Sequence, residues 1–416
     1  MRLLDSAADV DPALPEGAAE ILRSTTAVRD RAGQLLARAR AGESRWLTVC
    51  DDELGRAATE VATVTRVNYP DLDVPYHSRW RHFEAGGIDR KAELDARLGD
   101  LDSAARARAM IDLTVVSVLL DAGAGADWSY REASSGQRFA RSEGLGVASW
   151  HAFVSGAFSS DPGNPLQVDA NGLRAVTTDS LARAFQVGPS NPLVGLEGRA
   201  ELLHRLGDVM IDQSVFGTDG RPGGLFDALT RPGNSVEATQ ILSLMLVALS
   251  GIWLAANTIG DVPLGDCWRH DAVSGPGLTT GWVPFHKLSQ WLTYSLLEPL
   301  QWAGVRVTGL DGLTGLPEYR NGGLLLDTGV LRLRDPAWIE RPWAVGDELV
   351  VEWRALTLAL IDELAPLVRA RLGVDTQQFP LACVLEGGTW AAGRALAQRL
   401  RGGTPPLTVT SDGTVF

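Results

Sequence analysis

Apolar residues recur at helical spacing through most of the chain. The pattern predicts helices over residues 16–64, 103–120, 200–215, 236–258 and 285–302. One further helix is predicted before Gly373, with an apolar face made by Leu356, Ala359, Leu360, Leu364, Leu367 and Val368. Residues 347–355, just before that face, alternate like a short β-strand. Because regular alternation of strands and helices is missing, we predict a mainly α protein with small β additions near the C-terminus, not a doubly wound α/β sheet.

The length of 416 residues and a hydrophobic content of 45% allow the chain to bury a large core. We divide it into an N-terminal helical region, residues 1–105, and a helical catalytic region with small β elements, residues 106–416. A single continuous domain stays open as the alternative. Residues 407–416 are expected to form a strand pair or an extended tail, with a turn at Asp412 and Gly413.

The charge balance indicates the class of partner. A net charge of −13 and a pI near 5.0 leave no basic excess to neutralise the phosphates of a nucleic acid. We therefore expect a small-molecule partner and no nucleic acid. The most apolar window, residues 241–256, is shorter than the ~20 residues that cross a bilayer, so no membrane partner is expected either. The oligomeric state is left open.

The cysteine usage and the N-terminal sequence bear on the compartment. The three cysteines, Cys50, Cys267 and Cys383, form no CxxC pair, which argues against a disulfide framework and a cysteine zinc site. The first residues carry acidic groups and prolines before any apolar run long enough for a signal peptide. We therefore expect a cytoplasmic protein.

Several common catalytic motifs are missing from the sequence. It contains no P-loop, no GxSxG elbow and no HExxH pair, so we expect neither a bound metal nor another cofactor. Gly123 and Gly125 follow an apolar run, but the third glycine of a dinucleotide fingerprint is missing and Asp127 would face the pyrophosphate. The same region is better explained as a polar loop in which Trp128 provides an aromatic plate.

The segment from Gly312 to Leu331 holds the most concentrated set of polar side chains between backbone breaks. Four polar residues, Glu318 to Asn321, stand between Pro317 and a double glycine, and Asp327 follows. Carboxylates, arginines and tryptophans suit cleavage of a glycosidic bond, in which Glu318 or Asp327 would stabilise a developing cation or activate water. The alternative is that Glu318 caps a helix and Arg320 forms a surface ion pair.

Other polar clusters offer further candidates. Lys287 follows His286 between aromatic residues. Its ammonium group could bind a phosphate, or its side chain could simply extend from a helix surface to solvent. Arg141, Ser142 and Glu143 either line a pocket or form a tight turn. A loop with a short turn is predicted around His77, Arg79 and His82. Thr389 is predicted to cap a helix, which would place Glu386 at the positive end of that helix.

Five long motifs carry a resemblance to a known family. They are VPYHSRWRHFEAGG, DAGAGADWSYRE, RSEGLGVAS, GLTGLPEYRNGGLLLDTGVL and LEGGTWAAGR. Over nearly the whole chain, the sequence resembles the uracil-catabolism protein 4 family of fungi and bacteria. That resemblance implies a pathway in which uracil becomes a nucleotide, its ring is opened, and urea is released through a ribosylurea species.

The order GRAELLHRLG, FHKLSQWL, LTGLPEYR and VVEWRALTLALIDEL is similar to that of the queuosine-nucleotide salvage glycosidases. These are helical enzymes, distantly similar to DNA glycosylases, that cut a nucleotide N-glycosidic bond. The similarity implies a helical bundle, with Glu318 at the position of an acidic residue that is Asp in that family. It also matches the lysine of a Lys-x-x-Gln helix to Lys287, with Gln290 following. A second acidic position falls on Ser295, where this chain departs from the pattern.

Together the two resemblances imply hydrolysis of ribosylurea 5′-phosphate, or a close relative, to urea and ribose 5-phosphate. Glu318 would stabilise the anomeric cation or orient water, Arg320 and Lys287 would hold the phosphate or position Glu318, and Asp327 is the reserve carboxylate. The remaining candidate binding residues are Gln290, Tyr319, Asn321, Trp128, Arg141, Ser142, Glu143, His77 and Arg79. Two rival hypotheses are a hydrolase of the opened ring's acyl-urea or enamine bond, with His77 or His82 as base, and a non-catalytic partner that channels intermediates.

Overall fold

Helices dominate the computed structural model, which describes residues 10–231 and 233–410. Helix accounts for 56% of the residues and strand for 9%, which confirms a mainly α fold. In chain order the α-helices are α1 Pro15–Leu22, α2 Thr25–Arg40, α3 Leu54–Asn68, α4 Arg79–Phe83, α5 Arg90–Leu98, α6 Ser103–Leu119, α7 Arg141–Val154, α8 Ala170–Arg174, α9 Thr178–Ala184, α10 Leu196–Asp212, α11 Gly224–Thr230, α12 Ala238–Ala248, α13 Lys287–Trp302, α14 Tyr319–Asp327, α15 Glu348–Leu372, α16 Leu381–Val384 and α17 Trp390–Arg401.

The β-structure consists of short strands that pair two by two. The strands are β1 Leu47–Val49, β2 Ser129–Arg131, β3 Arg138–Ala140, β4 Ser235–Glu237, β5 Thr258–Ile259, β6 Val262–Pro263, β7 Cys267–Arg269, β8 Trp282–Pro284, β9 Arg306–Thr308, β10 Leu331–Leu333, β11 Pro342–Ala344 and β12 Thr408–Thr410. Antiparallel pairs are β1 with β10, β2 with β3, β5 with β6 and β7 with β8. Parallel pairs are β4 with β9 and β11 with β12. The prediction that β-structure lies near the C-terminus is therefore too narrow, since the strands are spread along the chain.

The strand predicted over residues 347–355 is wrong, because these residues form the first turns of α15. Leu349, Val350, Val351 and Trp353 are all buried. A helix buried on nearly all sides shows no 3.6-residue period, so its short apolar run cannot be distinguished from a strand by pattern alone. The predicted end of α15 at Gly373 is confirmed, since this glycine takes the left-handed conformation that favours glycine.

Two other predicted helices agree with the structure, and a third is predicted too long. The predicted helices at 103–120 and 285–302 match α6 and α13 closely. The helix predicted to reach residue 258 ends at Ala248, after which Leu249 and Ile252 fill the core from irregular backbone. The weak helix formers Ser250 and Gly251 stand at that break. At the C-terminus β12 ends at Thr410, and the turn predicted at residues 412–413 lies outside the described residues.

One large apolar cluster runs through the molecule. It includes residues from Leu36 to Leu407, so it draws on both sides of residue 105. The long α15 packs against α2 and α3, while α13 packs against α6 and brings its first turn into the interior. Within the described ranges, no helix combines the length and apolar character needed to span a bilayer.

Candidate active site

A cavity of about 450 Å³ lies where α7, α13 and α14 begin. Its volume falls within the roughly 300–1,000 Å³ of small-molecule sites. The first turn of an α-helix presents unpaired backbone N–H groups and the positive end of the helix dipole. The positive ends of three helices therefore meet at the cavity, although carboxylates of the protein already accept N–H groups in the first turns of α13 and α14. Residues of the segment from Gly402 to Val409 also line the cavity.

Glu318 is both the N-cap of α14 and part of the cavity wall. Its Oε1 accepts the backbone N–H of Asn321 at 2.5 Å, and its Oε2 accepts that of Arg320 at 2.8 Å. Each carboxylate oxygen is thereby oriented by the backbone and keeps further lone pairs. Burial raises the pKa of Glu318, although these two N–H groups and the ammonium of Lys287 act in the opposite direction.

The predicted capping role of Glu318 is therefore confirmed, but the surface ion pair proposed for Arg320 is wrong. Arg320 is only 2% exposed, and its Nη1 donates to the carbonyl of Gly403 at 3.2 Å. Its guanidinium also lies over the ring of Tyr319, at 4.8 Å from the centroid. Arg320 and Tyr319 both line the cavity.

A buried ion pair connects the start of α13 to the start of α14. Arg354 donates to Asp266 through both Nη1 and Nη2 at 2.8 Å, and its Nε donates to the carbonyl of Pro317 at 3.3 Å. Asp266 Oδ2 in turn accepts the backbone N–H of Lys287 at 3.0 Å. His286, which precedes Lys287, has a left-handed φ of 51°. This pair therefore fixes the backbone of Lys287 and that of Pro317, next to Glu318, relative to one another.

Lys287 lines the cavity together with two acidic residues, Glu318 and Asp121, whose charges act on its ammonium group. Burial lowers the pKa of its amine, while the carboxylates of Glu318 and Asp121 act in the opposite direction. Asp121 Oδ2 is 2.9 Å from Nη1 of Arg79, whereas its Oδ1 is buried without a hydrogen-bond partner among the described residues. Burial raises the pKa of Asp121, against the effect of Arg79 and Lys287. The cavity thus combines carboxylates with an ammonium group.

Arg79 stands behind the wall and organises it. Its Nε donates to Ser117 Oγ at 2.7 Å, and its Nη1 donates to the carbonyl of Ser142 at 3.1 Å. The same Nη1 lies 2.9 Å from Nδ1 of His82. Burial lowers the pKa of His82 well below its ordinary value, and the charge of Arg79 adds to the effect. His82 is therefore held as a neutral ring whose Nδ1 accepts a hydrogen bond.

His77 occupies another part of the wall and pairs with Glu386. Its Nδ1 is 2.6 Å from Glu386 Oε2, and its ring lies 4.6 Å from that of Trp291. Glu386 belongs to a π-helical turn, Leu385–Thr389, between α16 and α17. The predicted cap at Thr389 is wrong, because its backbone is helical (φ −65°, ψ −47°) and its side chain caps nothing. The helical path continues from α16 through the π turn, so Glu386 does not stand at a helix start.

The remaining candidate residues divide between the wall and the interior. Arg141, Ser142 and Glu143 line the cavity, and Glu143 accepts from Arg394 at 2.8 Å. Four candidates do not line the cavity and form hydrogen bonds within the protein. The side chains of Asn321 and Trp128 donate to the carbonyls of Leu316 and Phe185. Gln290 accepts from the N–H of Thr314, and Asp327 accepts from Arg401.

Sequence reasoning gave no site role to several groups that line the cavity. These are Asp121, Trp291, Trp390, Arg394 and Thr404. The only local signals were that Asp121 ends a long apolar run and that Trp390 and Arg394 are four positions apart, which places them on one helix face. In the ranges 10–231 and 233–410, no three His, Cys, Asp or Glu residues form a group that could hold a metal ion.

Comparisons with known proteins agree over most of the chain. A family described as "Protein of unknown function (DUF1688)" matches residues 21–416. Protein urg3 of Schizosaccharomyces pombe (strain 972 / ATCC 24843) is 37% identical over 406 residues, covering 95% of this chain and 98% of the relative. Uracil catabolism protein 4 of Lachancea kluyveri is 40% identical over 378 residues, covering 82% of this chain and 85% of the relative. Each relative therefore matches along most of its own length.

Proposed function

This chain belongs to the family of proteins of unknown function DUF1688, and from that premise we propose that it acts in uracil catabolism, as named for its relative from Lachancea kluyveri. The reaction we propose is hydrolysis of the N-glycosidic bond of ribosylurea 5′-phosphate, or of a closely related ring-opened nucleotide, to urea and ribose 5-phosphate. The observation that carries the proposal is the convergence of Glu318, Lys287 and Arg320 on one cavity of nucleotide size.

Glu318 has the environment that such a cleavage needs. Breaking a glycosidic bond develops positive charge at the anomeric carbon, and a carboxylate stabilises that charge or accepts a proton from the attacking water. The backbone N–H groups of Arg320 and Asn321 fix the orientation of the Glu318 carboxylate before substrate arrives. A preoriented group needs no rearrangement during the reaction, which is the main source of electrostatic catalysis.

The phosphate end of the substrate fits the cationic side of the cavity. Arg141 begins α7 and lines the cavity, as do Arg320 and Lys287. Arginine binds phosphate through paired hydrogen bonds, and helix N-termini attract anions. Tyr319 and Trp390 supply aromatic surface against which the sugar can pack.

A second candidate reaction gains support from His77. Hydrolysis of the acyl-urea or enamine bond of the opened ring needs a base to activate water, and a histidine paired with a carboxylate has that capacity. His77 lines the same cavity and forms such a pair with Glu386, which lies outside the lining. The two reactions give products of different mass, so product identification by mass spectrometry separates them.

The test is to incubate purified protein with ribosylurea 5′-phosphate and to assay urea and ribose 5-phosphate. We expect both products from the wild-type protein and a loss of at least about 100-fold in rate for Glu318→Gln, the usual scale for removing an electrostatic catalytic group. Absence of urea from a folded protein contradicts the proposal.

The matched control is Glu352→Gln, which removes another buried carboxylate. Glu352 bonds Ser44 and His270 and does not line the cavity, so its loss should affect stability without a comparable loss of rate per folded molecule. A growth assay addresses the non-catalytic alternative. If Glu318→Gln protein folds normally and still sustains growth on uracil, a role as a channelling partner is favoured.

A further inference from the structure

His77 lines the cavity and is paired with the carboxylate of Glu386 behind it, and the proposed roles of Glu318 and Lys287 leave this pair unused. Glu386 Oε2 lies 2.6 Å from Nδ1 of His77, and a carboxylate can only accept there, so Nδ1 carries a proton. Nε2, on the other side of the ring, has no hydrogen-bond partner within residues 10–231 and 233–410, and His77 lines the cavity. The ring can therefore exchange a proton with a ligand through Nε2.

The local fold holds this pair in place from both sides. The backbone N–H of His77 donates to the carbonyl of Ala382 at 3.0 Å, which ties the histidine to the segment that carries Glu386. Glu386 stands in the π turn, and such turns occur frequently at functional sites. Gly388 of that turn packs so closely on α3 that a Cβ would lie 2.4 Å from Cγ1 of Val61. The hydroxyl of Tyr69 lies 3.5 Å from the other oxygen of Glu386.

The second histidine of the cavity lacks this arrangement. His82 faces a cation instead of a carboxylate, because Arg79 occupies its Nδ1 at 2.9 Å. A proton on Nδ1 of His82 would meet the N–H donor of Arg79, whereas the proton on Nδ1 of His77 meets a carboxylate acceptor. His77 is therefore the histidine that can hold protons on both ring nitrogens and deliver the one on Nε2 to the substrate.

We propose that His77 is the general acid that protonates the leaving group, with Glu386 as its positioning residue. This inference rests on the proposed glycosidic cleavage. Before cleavage, His77 takes a proton from solvent on Nε2 and keeps the one on Nδ1 that Glu386 accepts. The C1′–N bond breaks, its electron pair stays on the nitrogen, and the Nε2 proton moves to the departing urea. Water adds to C1′ and gives a proton to Glu318. Exchange with solvent then returns a proton to His77 and removes one from Glu318, so the net reaction consumes one water.

The test compares two substrates that differ in their need for a proton. Urea must leave as a neutral molecule, whereas p-nitrophenolate in p-nitrophenyl riboside 5-phosphate leaves as an anion. For His77→Gln we expect kcat/KM on ribosylurea 5′-phosphate to fall by about 100-fold or more and that on the nitrophenyl riboside by less than about fivefold, the selective loss expected of a general acid. Glu386→Gln should change the ratio of the two rates in the same direction.

Controls distinguish loss of the general acid His77 from structural damage and from failure of the proposed glycosidic cleavage. His270→Gln breaks a comparable buried pair, His270 with Glu352 at 3.2 Å, away from the cavity, and should leave the ratio of the two rates unchanged. An unchanged ratio in His77→Gln, with an active wild type, overturns the role of His77 alone. A folded wild-type protein that hydrolyses neither substrate overturns the proposed function itself, and the inference with it.

Discussion

Replacing Asp266 by Asn tests whether one buried ion pair fixes the starts of α13 and α14. The side chains of Arg354 and Asp266 are 1% and 7% exposed and are joined by two hydrogen bonds of 2.8 Å. The substitution keeps the size of the side chain but removes its charge and one acceptor. Arg354 then keeps its positive charge in the interior without its carboxylate partner.

The expected cost follows from that uncompensated charge. Removing one partner of a buried ion pair destabilises a protein by about 3–5 kcal/mol, whereas exposed pairs contribute about 0–1 kcal/mol. The backbone N–H of Lys287 also loses a charged acceptor, which adds to the cost. A suitable control is Asp208→Asn, because Asp208 is 61% exposed in its pair with Arg174. We therefore expect a large loss of unfolding free energy for Asp266→Asn and a small one for Asp208→Asn.

Urea unfolding followed by tryptophan fluorescence measures both variants against wild type. Burial opposes ionisation of Asp266. The charge of Arg354 and the hydrogen bonds that Asp266 accepts nevertheless hold the pKa of Asp266 below the ordinary value of 3.8. A carboxyl group with a lower pKa in the folded state stabilises above the unfolded pKa and loses that contribution as pH falls through the folded value. The difference between wild type and Asp266→Asn should thus stay constant from about pH 7 to about pH 5 and close only in stronger acid. A loss no larger than that of Asp208→Asn refutes the reasoning.

Two further substitutions test the packing of the π turn on α3 and the binding of phosphate by Arg141. Gly388→Ala should cost about 1–3 kcal/mol of unfolding free energy through overpacking. Its control is Gly33→Ala at an exposed position of α2, where a Cβ meets nothing within 4 Å and the substitution should gain up to about 1 kcal/mol. Urea unfolding measures both variants, and equal effects contradict the packing argument. Arg141→Ala should raise KM for phosphorylated ribosylurea by about 10-fold or more and leave that for the dephosphorylated compound within about twofold, as steady-state kinetics will show. A similar change for both compounds speaks against a phosphate contact.

Sequence reasoning succeeded where the signal is local. The apolar period placed α6 and α13 almost at their observed bounds. The alternative that Glu318 caps a helix is also confirmed, but the constrained loop predicted between Pro317 and the double glycine is wrong, because residues 319–327 form α14 and Gly322 and Gly323 continue that helix. These features depend on neighbouring residues, whose spacing and backbone preferences are visible in the sequence.

It failed where distant residues decide the outcome. His77 and Glu386 are 309 positions apart, and β1 pairs with β10 across a comparable separation. No pattern among neighbouring residues therefore predicts either contact. The π turn at Leu385–Thr389 has the composition of an ordinary helix start, Thr389 after a double glycine, and was predicted as one. Tertiary packing against α3, which carries Val61, accounts for the difference.

The identity of residue 318 carries information beyond its role as a cap. Capping alone favours short side chains such as Ser, Asp or Asn, whose oxygen reaches the N–H two or three residues on. Glu318 makes both bonds with a longer side chain, so both of its oxygens are held against the backbone, at 2.8 and 2.5 Å, while the carboxylate still lines the cavity. A shorter residue could accept the N–H groups of the first turn of α14. The additional methylene of Glu, compared with Asp, is therefore better explained by the reach of the carboxylate toward a ligand. The cap and the proposed catalytic group are thus one structural device, in which the start of α14 holds the carboxylate in a fixed orientation.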